Sequence, residues 1–239
     1  MTTAVVFGYG DVGVRCTQVL LNQGVEVKLV VTHEDDPAER RWYASLAEFA
    51  RAHGLPVITP TAADDKLLYR LHALAPDFLF SFYYRQLLPP ALLATARRGA
   101  LNMHGSLLPR FRGRAPVNWA VLRGATETGA TLHYMVARAD AGDIVDQESV
   151  PILENDTAHD VFVRVANAAD ITLSRSLPGL IAGTKMSKAL PPERYKQLLG
   201  QTALKREASP EDIAKQVLAF CQSDSTTGQV VAVDSGQIY

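Results

Sequence analysis

The sequence is poor in the features that mark specialised proteins. Of its 239 residues only Cys16 and Cys221 are cysteines, far apart in the chain, which argues against a disulfide framework and a cysteine-rich metal site. Neither sign of charge is in excess: 24 Lys and Arg face 25 Asp and Glu, a formal net charge of −1, so net charge supplies no affinity for nucleic acid or for an anionic membrane. No apolar run reaches the roughly 20 residues that span a bilayer, and none resembles a signal peptide. Low-complexity tracts and internal repeats are also missing. The expectation is a cytoplasmic protein with free thiols. Its 47% hydrophobic content suffices for one large domain, or for one domain with an appendage.

What is there begins as alternating strands and helices, the pattern of a parallel sheet covered by helices. Ala4 to Phe7 reads as a short strand running into Gly8, Gly10 and Gly13. Val12, Cys16, Val19 and Leu20 recur at helical spacing, with a stop at Gly24. Val25 to Val31 predicts a second strand with Val25, Val27, Leu29 and Val31 on one face. Pro37 to His53 predicts a helix carrying Trp42, Leu46 and Phe49. A strand at Val57 to Thr59, a helix around Lys66 to Ala75 and a strand at Phe78 to Phe82 follow. Leu101 to Arg114, dense in Asn, His, Gly, Pro and Arg, reads as a structured loop leaving a strand. A helix around Pro116 to Arg123, a strand at Ala130 to Val136, a polar loop at Arg138 to Asp143 and a strand at Ile144 to Ile152 come next. Asp156 or Thr157 is then placed to cap a long helix that buries Val161, Val165 and Ala168.

Two motifs carry chemistry. Gly8 to Gly13 satisfies G-x-G-x-x-G between a strand and a helix, with Glu34 or Asp35 near the end of the second strand. This is either a pyrophosphate site or a tight turn that holds no cofactor. Asn102 and His104 stand at i and i+2, so they share a face wherever the strand continues through them. An amide donor beside an imidazole suits acyl transfer, in which one stabilises a developing oxyanion and the other moves a proton. Asp140, in the second polar loop, is the candidate carboxylate that favours the imidazolium. The competing reading is a pair of loop hydrogen bonders.

Other residues weigh less. Arg110, Arg112, Arg114 and Arg123 form a local basic patch whose forks match phosphate oxygens; of these, Arg114 is the expected site residue. Tyr83 and Tyr84 could stack on a base or a pterin, or serve the core. His133 shares a strand face with Thr131 and Met135, and a structural role is the expected one. No histidine makes a metal-ligand pattern with Cys16 or Cys221.

The stretch Leu101 to Val145, LNMHGSLLPRFRGRAPVNWAVLRGATETGATLHYMVARADAGDIV, resembles the 10-formyltetrahydrofolate-dependent formyltransferases. Within them it is most similar to the branch acting on UDP-4-amino-4-deoxy-L-arabinose in lipid A modification and polymyxin resistance. THEDDPAERRWYASLAEFA, Thr32 to Ala50, and FSFYYRQLL, Phe80 to Leu88, extend the likeness over roughly residues 1–184. The resemblance implies a Rossmann-like α/β catalytic domain with 10-formyltetrahydrofolate as formyl donor. It implies that Asn102 holds the formyl oxygen, that His104 transfers the proton and that Asp140 raises the pKa of His104. Gln86, Leu87 and Leu88, with Val136, Ala137, Arg138, Ala139 and Asp140, would line the formyl-folate site, partly through backbone. Arg114 would contact a small-molecule nucleotide sugar. No metal, nucleic acid or membrane insertion is implied, and the glycine loop of that family holds no dinucleotide.

From Lys185 on, the chain changes character, with seven basic and six acidic residues. Ser209 and Pro210 open a predicted helix bearing Ile213, Val217 and Phe220, and Gly228 to Asp234 reads as a final strand. LKREASPEDIAKQVLAFCQSDSTTGQVVAVDSGQ resembles the carboxyl end of a short-chain dehydrogenase/reductase, whose catalytic Tyr-x-x-x-Lys is not in a plausible place here. The expected organisation is therefore a catalytic domain over 1–184 and a helix-strand extension over 185–239. Methionyl-tRNA formylation, an NAD(P)-binding oxidoreductase and a catalytically dead composite stay open as alternatives, as does the oligomeric state.

Overall fold

A strand that is apolar on both faces belongs in the middle of a sheet. Every residue of β1 (Thr3–Gly8) and of β4 (Phe78–Phe82) is buried, and the two pair in parallel. The computed structural model describes residues 1–36, 38 and 41–182. Their order is β1, α1 (Gly10–Asn22), β2 (Glu26–Val31), α2 (Leu46–Ala52), β3 (Val57–Ile58), α3 (Asp65–Leu74), β4, α4 (Pro90–Leu93), β5 (Gly99–His104), α5 (Pro116–Leu122), β6 (Glu127–Tyr134), β7 (Ile144–Pro151) and α6 (Ala158–Ala182). They build one seven-stranded sheet in the order β3-β2-β1-β4-β5-β6-β7. β3 through β5 run parallel, and β6 and β7 join antiparallel. This is the Rossmann-like α/β architecture expected from the alternating pattern.

Two apolar clusters cover the two faces. Ala4, Val6, Phe78, Phe80, Phe82, Leu101 and Met103 pack with the buried stripes of α1 and α6. Val5, Phe7, Leu79 and Ala100 pack with Leu67 and Leu71 of α3 and Leu92 of α4. Strict alternation fails in β2. The pairing passes from Ala4 opposite Val27 to Val5 opposite Leu29, so Lys28 is an extra residue of the kind that makes a bulge. Val25 and Val27 accordingly join the first cluster while Leu29 and Val31 join the second, which corrects the single face expected of them.

The helix expected over Pro37 to His53 is shorter, beginning at Leu46. Ser45 supplies the reason: its hydroxyl caps the Glu48 N–H at 3.2 Å, and Ser45-x-x-Glu48 is a capping-box spacing that sets the first turn there. Trp42 lies outside the helix and is 57% exposed. At α6, Thr157 is the cap, since Thr157 and Asp160 exchange side-chain and backbone hydrogen bonds. Asp156 instead holds Leu153 N–H and Arg164. Strand β6 starts at Glu127 and stops at Tyr134, both earlier than expected, although Met135 N–H still bonds the Ala100 carbonyl of β5. The helix and strand expected after Lys185 lie outside the described residues.

Candidate active site

β5 runs through both Asn102 and His104, so the two side chains emerge on one face of the sheet near its carboxyl edge. The antiparallel neighbour β6 sets His133 opposite Asn102 and Thr131 opposite His104. Beyond His104 the chain turns away through a loop pinned by buried polar contacts. Thr131 Oγ1 donates to the Ser106 carbonyl at 2.6 Å and accepts from Leu108 N–H at 3.1 Å. Gln147 reaches across from β7 to the Leu108 carbonyl at 3.0 Å. The loop also bends through Phe111 and Ala115, both in the left-handed region at φ 54 and 51.

Asp140 arrives from the β6–β7 connection, itself left-handed at φ 49. Its Oδ2 accepts the Gly113 N–H at 2.8 Å, which ties the two loops together. Its Oδ1 stands 3.6 Å from His104 Nδ1 and 3.6 Å from His133 Nε2, ion-pair distance but longer than a hydrogen bond. His104 Nε2 donates to the Phe111 carbonyl at 3.0 Å. His133 Nδ1 donates to the Tyr134 carbonyl at 2.9 Å, and its Nε2 meets Asn102 Nδ2 at 3.1 Å. His133 thus orients the Asn102 amide, whose second N–H is left for the cleft.

The electrostatics differ from the expectation in one respect. Burial is the largest influence on His104 and pushes its pKa below the ordinary imidazole value. Asp140 and the Phe111 carbonyl pull the other way and are outweighed. The folded environment thus favours neutral His104 over the imidazolium expected beside Asp140. For Asp140 burial works to raise the pKa, but the His133 ring, the charge of His104 and the Gly113 N–H together hold the carboxyl below its usual range.

These four side chains open onto a cleft of about 550 Å³ at the carboxyl ends of β4 and β5. Asn102, His104 and Asp140 line it, as do Gln86, Leu87, Leu88, Arg114, Val136, Ala137 and Ala139. Arg138 is the exception among the sequence-derived site residues: it is exposed and does not face the cleft. Of the arginine cluster only Arg114 lines the cleft, while Arg110 lies 3.7 Å from Glu127 and Arg123 packs over Trp119. His133, for which the sequence predicts a structural role, also lines the cleft. The signal that finds it is cross-strand register, which pairs it with Asn102 and which single-strand periodicity does not contain.

The glycine turn after β1 is occupied by the protein's own side chains. Leu46 Cδ2 would stand 2.7 Å from a Cβ at Gly8 and 3.1 Å from one at Gly13. Tyr9 and Tyr43 join hydroxyls at 2.7 Å, and the Arg85 guanidinium lies 4.1 Å over the Tyr9 ring. These glycines serve close helix-strand packing. Among the described residues no group of His, Cys, Asp and Glu is placed to hold a metal ion, and no helix is long and apolar enough to cross a membrane.

Comparison with known proteins places the fold. Residues 4–177 match the formyl transferase family. Phosphoribosylglycinamide formyltransferase from Bacillus halodurans is 25% identical, with a TM-score of 0.66 over 77% of this chain and 97% of its own. Glycinamide ribonucleotide transformylase 1 from Symbiobacterium toebii is 26% identical, with a TM-score of 0.63 over 76% of this chain and 86% of its own. An N-formyltransferase from Helicobacter canadensis, solved in complex with folinic acid and dTDP-3-aminofucose, shares the fold at 22% identity, with a TM-score of 0.63 over 92% of this chain and 81% of its own.

Proposed function

Since the chain belongs to the formyl transferase family, we propose that it moves a formyl group from 10-formyltetrahydrofolate to the amine of a nucleotide-linked amino sugar, UDP-4-amino-4-deoxy-L-arabinose, in lipid A modification. The observation that carries the reading is the convergence of Asn102, His104 and Asp140 on one cleft. The apolar rim of this cleft is where we place the folate ring. Leu87 and Val136, 79% and 48% exposed, stand at its rim, with Leu88, Leu93 and Met135 also lining it. Leu87, Leu88, Val136 and Ala137 have backbone polar groups engaged in no hydrogen bond among the described residues, a ready edge for a heterocycle. The arabinose-type stretch RAPVNWAVLRGATETG and the cleft-facing Arg114 support a diphosphate-linked sugar as acceptor.

When bound, the folate supplies the formyl group. Asn102 turns its free amide N–H toward the formyl oxygen as negative charge develops there, oriented by His133. Neutral His104, its Nε2 proton held by the Phe111 carbonyl, offers Nδ1 as the base that takes a proton from the attacking amine. The imidazolium so formed lies beside Asp140, whose carboxylate stabilises that charged state, and it gives the proton to the folate nitrogen as the bond from that nitrogen to the formyl carbon breaks, releasing tetrahydrofolate and the N-formyl sugar. The catalytic domain spans 1–184 and residues 185–239 form an extension; proteolytic removal of the segment after about residue 184 should leave activity intact.

Incubation with 10-formyltetrahydrofolate and either this amino sugar or other UDP- and dTDP-linked amino sugars, followed by mass spectrometry, tests the reading. Transfer to the arabinose derivative in preference to the others is expected. Transfer to no sugar amine, or to methionyl-tRNA instead, overturns it.

A further inference from the structure

Four side-chain atoms among the described residues are buried without a hydrogen-bond partner: Thr32 Oγ1, Thr128 Oγ1, Asp170 Oδ1 and the Tyr83 hydroxyl. Only Tyr83 lines the cleft. An orphaned buried hydroxyl is costly, and one on the wall of a cleft is placed to be satisfied by a bound ligand.

Three further features converge on the same residue. Tyr83 has φ 59, a left-handed backbone that is strained for an aromatic residue. Leu79, in the alternating pattern that leads to Tyr83, packs on the α3–α4 side, yet Tyr83 packs with the α1–α6 cluster, 6.0 Å from the Phe162 ring. Gly105, directly after His104, makes room for it: a Cβ there would stand 1.9 Å from the Tyr83 hydroxyl oxygen. Burial also raises its pKa far above the ordinary phenol value, which keeps the hydroxyl a donor.

The two sides of the cleft are chemically distinct. Leu88, Leu93 and Met135 pack with the α3–α4 cluster and carry the apolar wall assigned above to the folate. Tyr83 belongs to the opposite side, next to Gly105 and Pro116, the side that this division leaves to the acceptor. We propose that the Tyr83 hydroxyl donates a hydrogen bond to the sugar oxygen adjacent to the reacting amine, making Tyr83 a recognition and positioning residue for the acceptor. This rests on the nucleotide-sugar reading above and adds to it the residue that reads the sugar.

Tyr83→Phe removes only the hydroxyl. Steady-state kinetics of wild type and Tyr83→Phe are compared on the amino sugar and on its analogue lacking the adjacent hydroxyl, with melting temperatures measured in parallel. A single lost hydrogen bond predicts roughly a tenfold rise in KM for the full acceptor, with KM for 10-formyltetrahydrofolate unchanged. Wild type should prefer the full acceptor over the deoxy analogue by a similar factor, and Tyr83→Phe should not. The melting temperature should hold or rise, because an unsatisfied group has been removed. An unchanged acceptor KM, a preserved preference, or a lowered melting temperature, which would reveal an internal partner such as a bound water, overturns the proposal. If wild type formylates the sugar and Tyr83→Phe behaves identically, this inference alone fails. If wild type formylates no amino sugar, the functional reading fails with it.

Discussion

The turn from β1 into α1 and the loop that leaves β5 both rise from the carboxyl edge of the same sheet, and both hold glycines against close neighbours. In the first, Leu46 presses on Gly8 and Gly13, Asp11 accepts Ala44 N–H at 2.7 Å, and Tyr9 is held by Tyr43 and Arg85. In the second, Thr131 and Gln147 fix the loop from beneath and leave Asn102, His104 and Asp140 on an open cleft. One turn directs its polar and aromatic groups at itself, the other at a space. A glycine motif therefore reports backbone geometry, and only its surroundings report whether a ligand has room.

The sharpest way to break this comparison is at the cleft. Asn102→Ala or His104→Ala should lower turnover about 100 to 1000-fold in a formyl-transfer assay of the folded variants. Near-normal turnover in either would remove that residue from the chemistry. Gly105→Ala comes next: its Cβ collides with the Tyr83 hydroxyl one residue from His104, and displacement of that order costs about 100-fold in rate. Gly8→Ala tests the other turn. Its Cβ meets a flexible Leu46 methyl, so stability should fall by about 1–3 kcal/mol on thermal unfolding while the folded protein keeps its turnover. A large loss of turnover at unchanged stability would move the glycine turn into the site.

The smallest effect is on pH. His33, at the glycine turn, and His104, in the cleft, both have pKa values lowered first by burial, and Arg85 lowers His33 further. The unfolded chain protonates both near the ordinary imidazole value of 6.5, so it binds more protons than the folded one below that pH. Stability should then decrease as pH falls through about 6.5. The melting temperature measured between pH 8 and pH 5, a window of roughly imidazole titration, should show this decline, and His33→Gln should flatten part of it. The acid limb of kcat/KM should lie below the ordinary imidazole value and move lower still in Asp140→Asn, which removes the carboxylate that draws a proton to His104.

Much of the scaffold was legible because short-range physics decides it. Phe78 to Phe82 emerged as a strand with the expected bounds, α6 has its cap at one of two named residues, and the i, i+2 spacing of Asn102 and His104 put them on one face. The α2 start follows from the local capping spacing Ser45-x-x-Glu48, whereas the spacing of Trp42, Leu46 and Phe49 points to an earlier one. The β2 bulge and the place of His133 were not legible, because both depend on which residue of another strand stands opposite.

Taken alone, the sequence determined the sheet-and-helix alternation, the core stripes and the residue types able to do acyl-transfer chemistry, since periodicity and capping act within a few residues. Tertiary structure alone decided three things. It shifted His104 toward its neutral form, because desolvation is a property of the folded environment and outweighs one carboxylate 3.6 Å away. It filled the glycine turn with side chains from distant segments. It also turned Tyr83 toward the cleft with its hydroxyl unpartnered, because a partner is supplied or withheld only when the whole neighbourhood has packed.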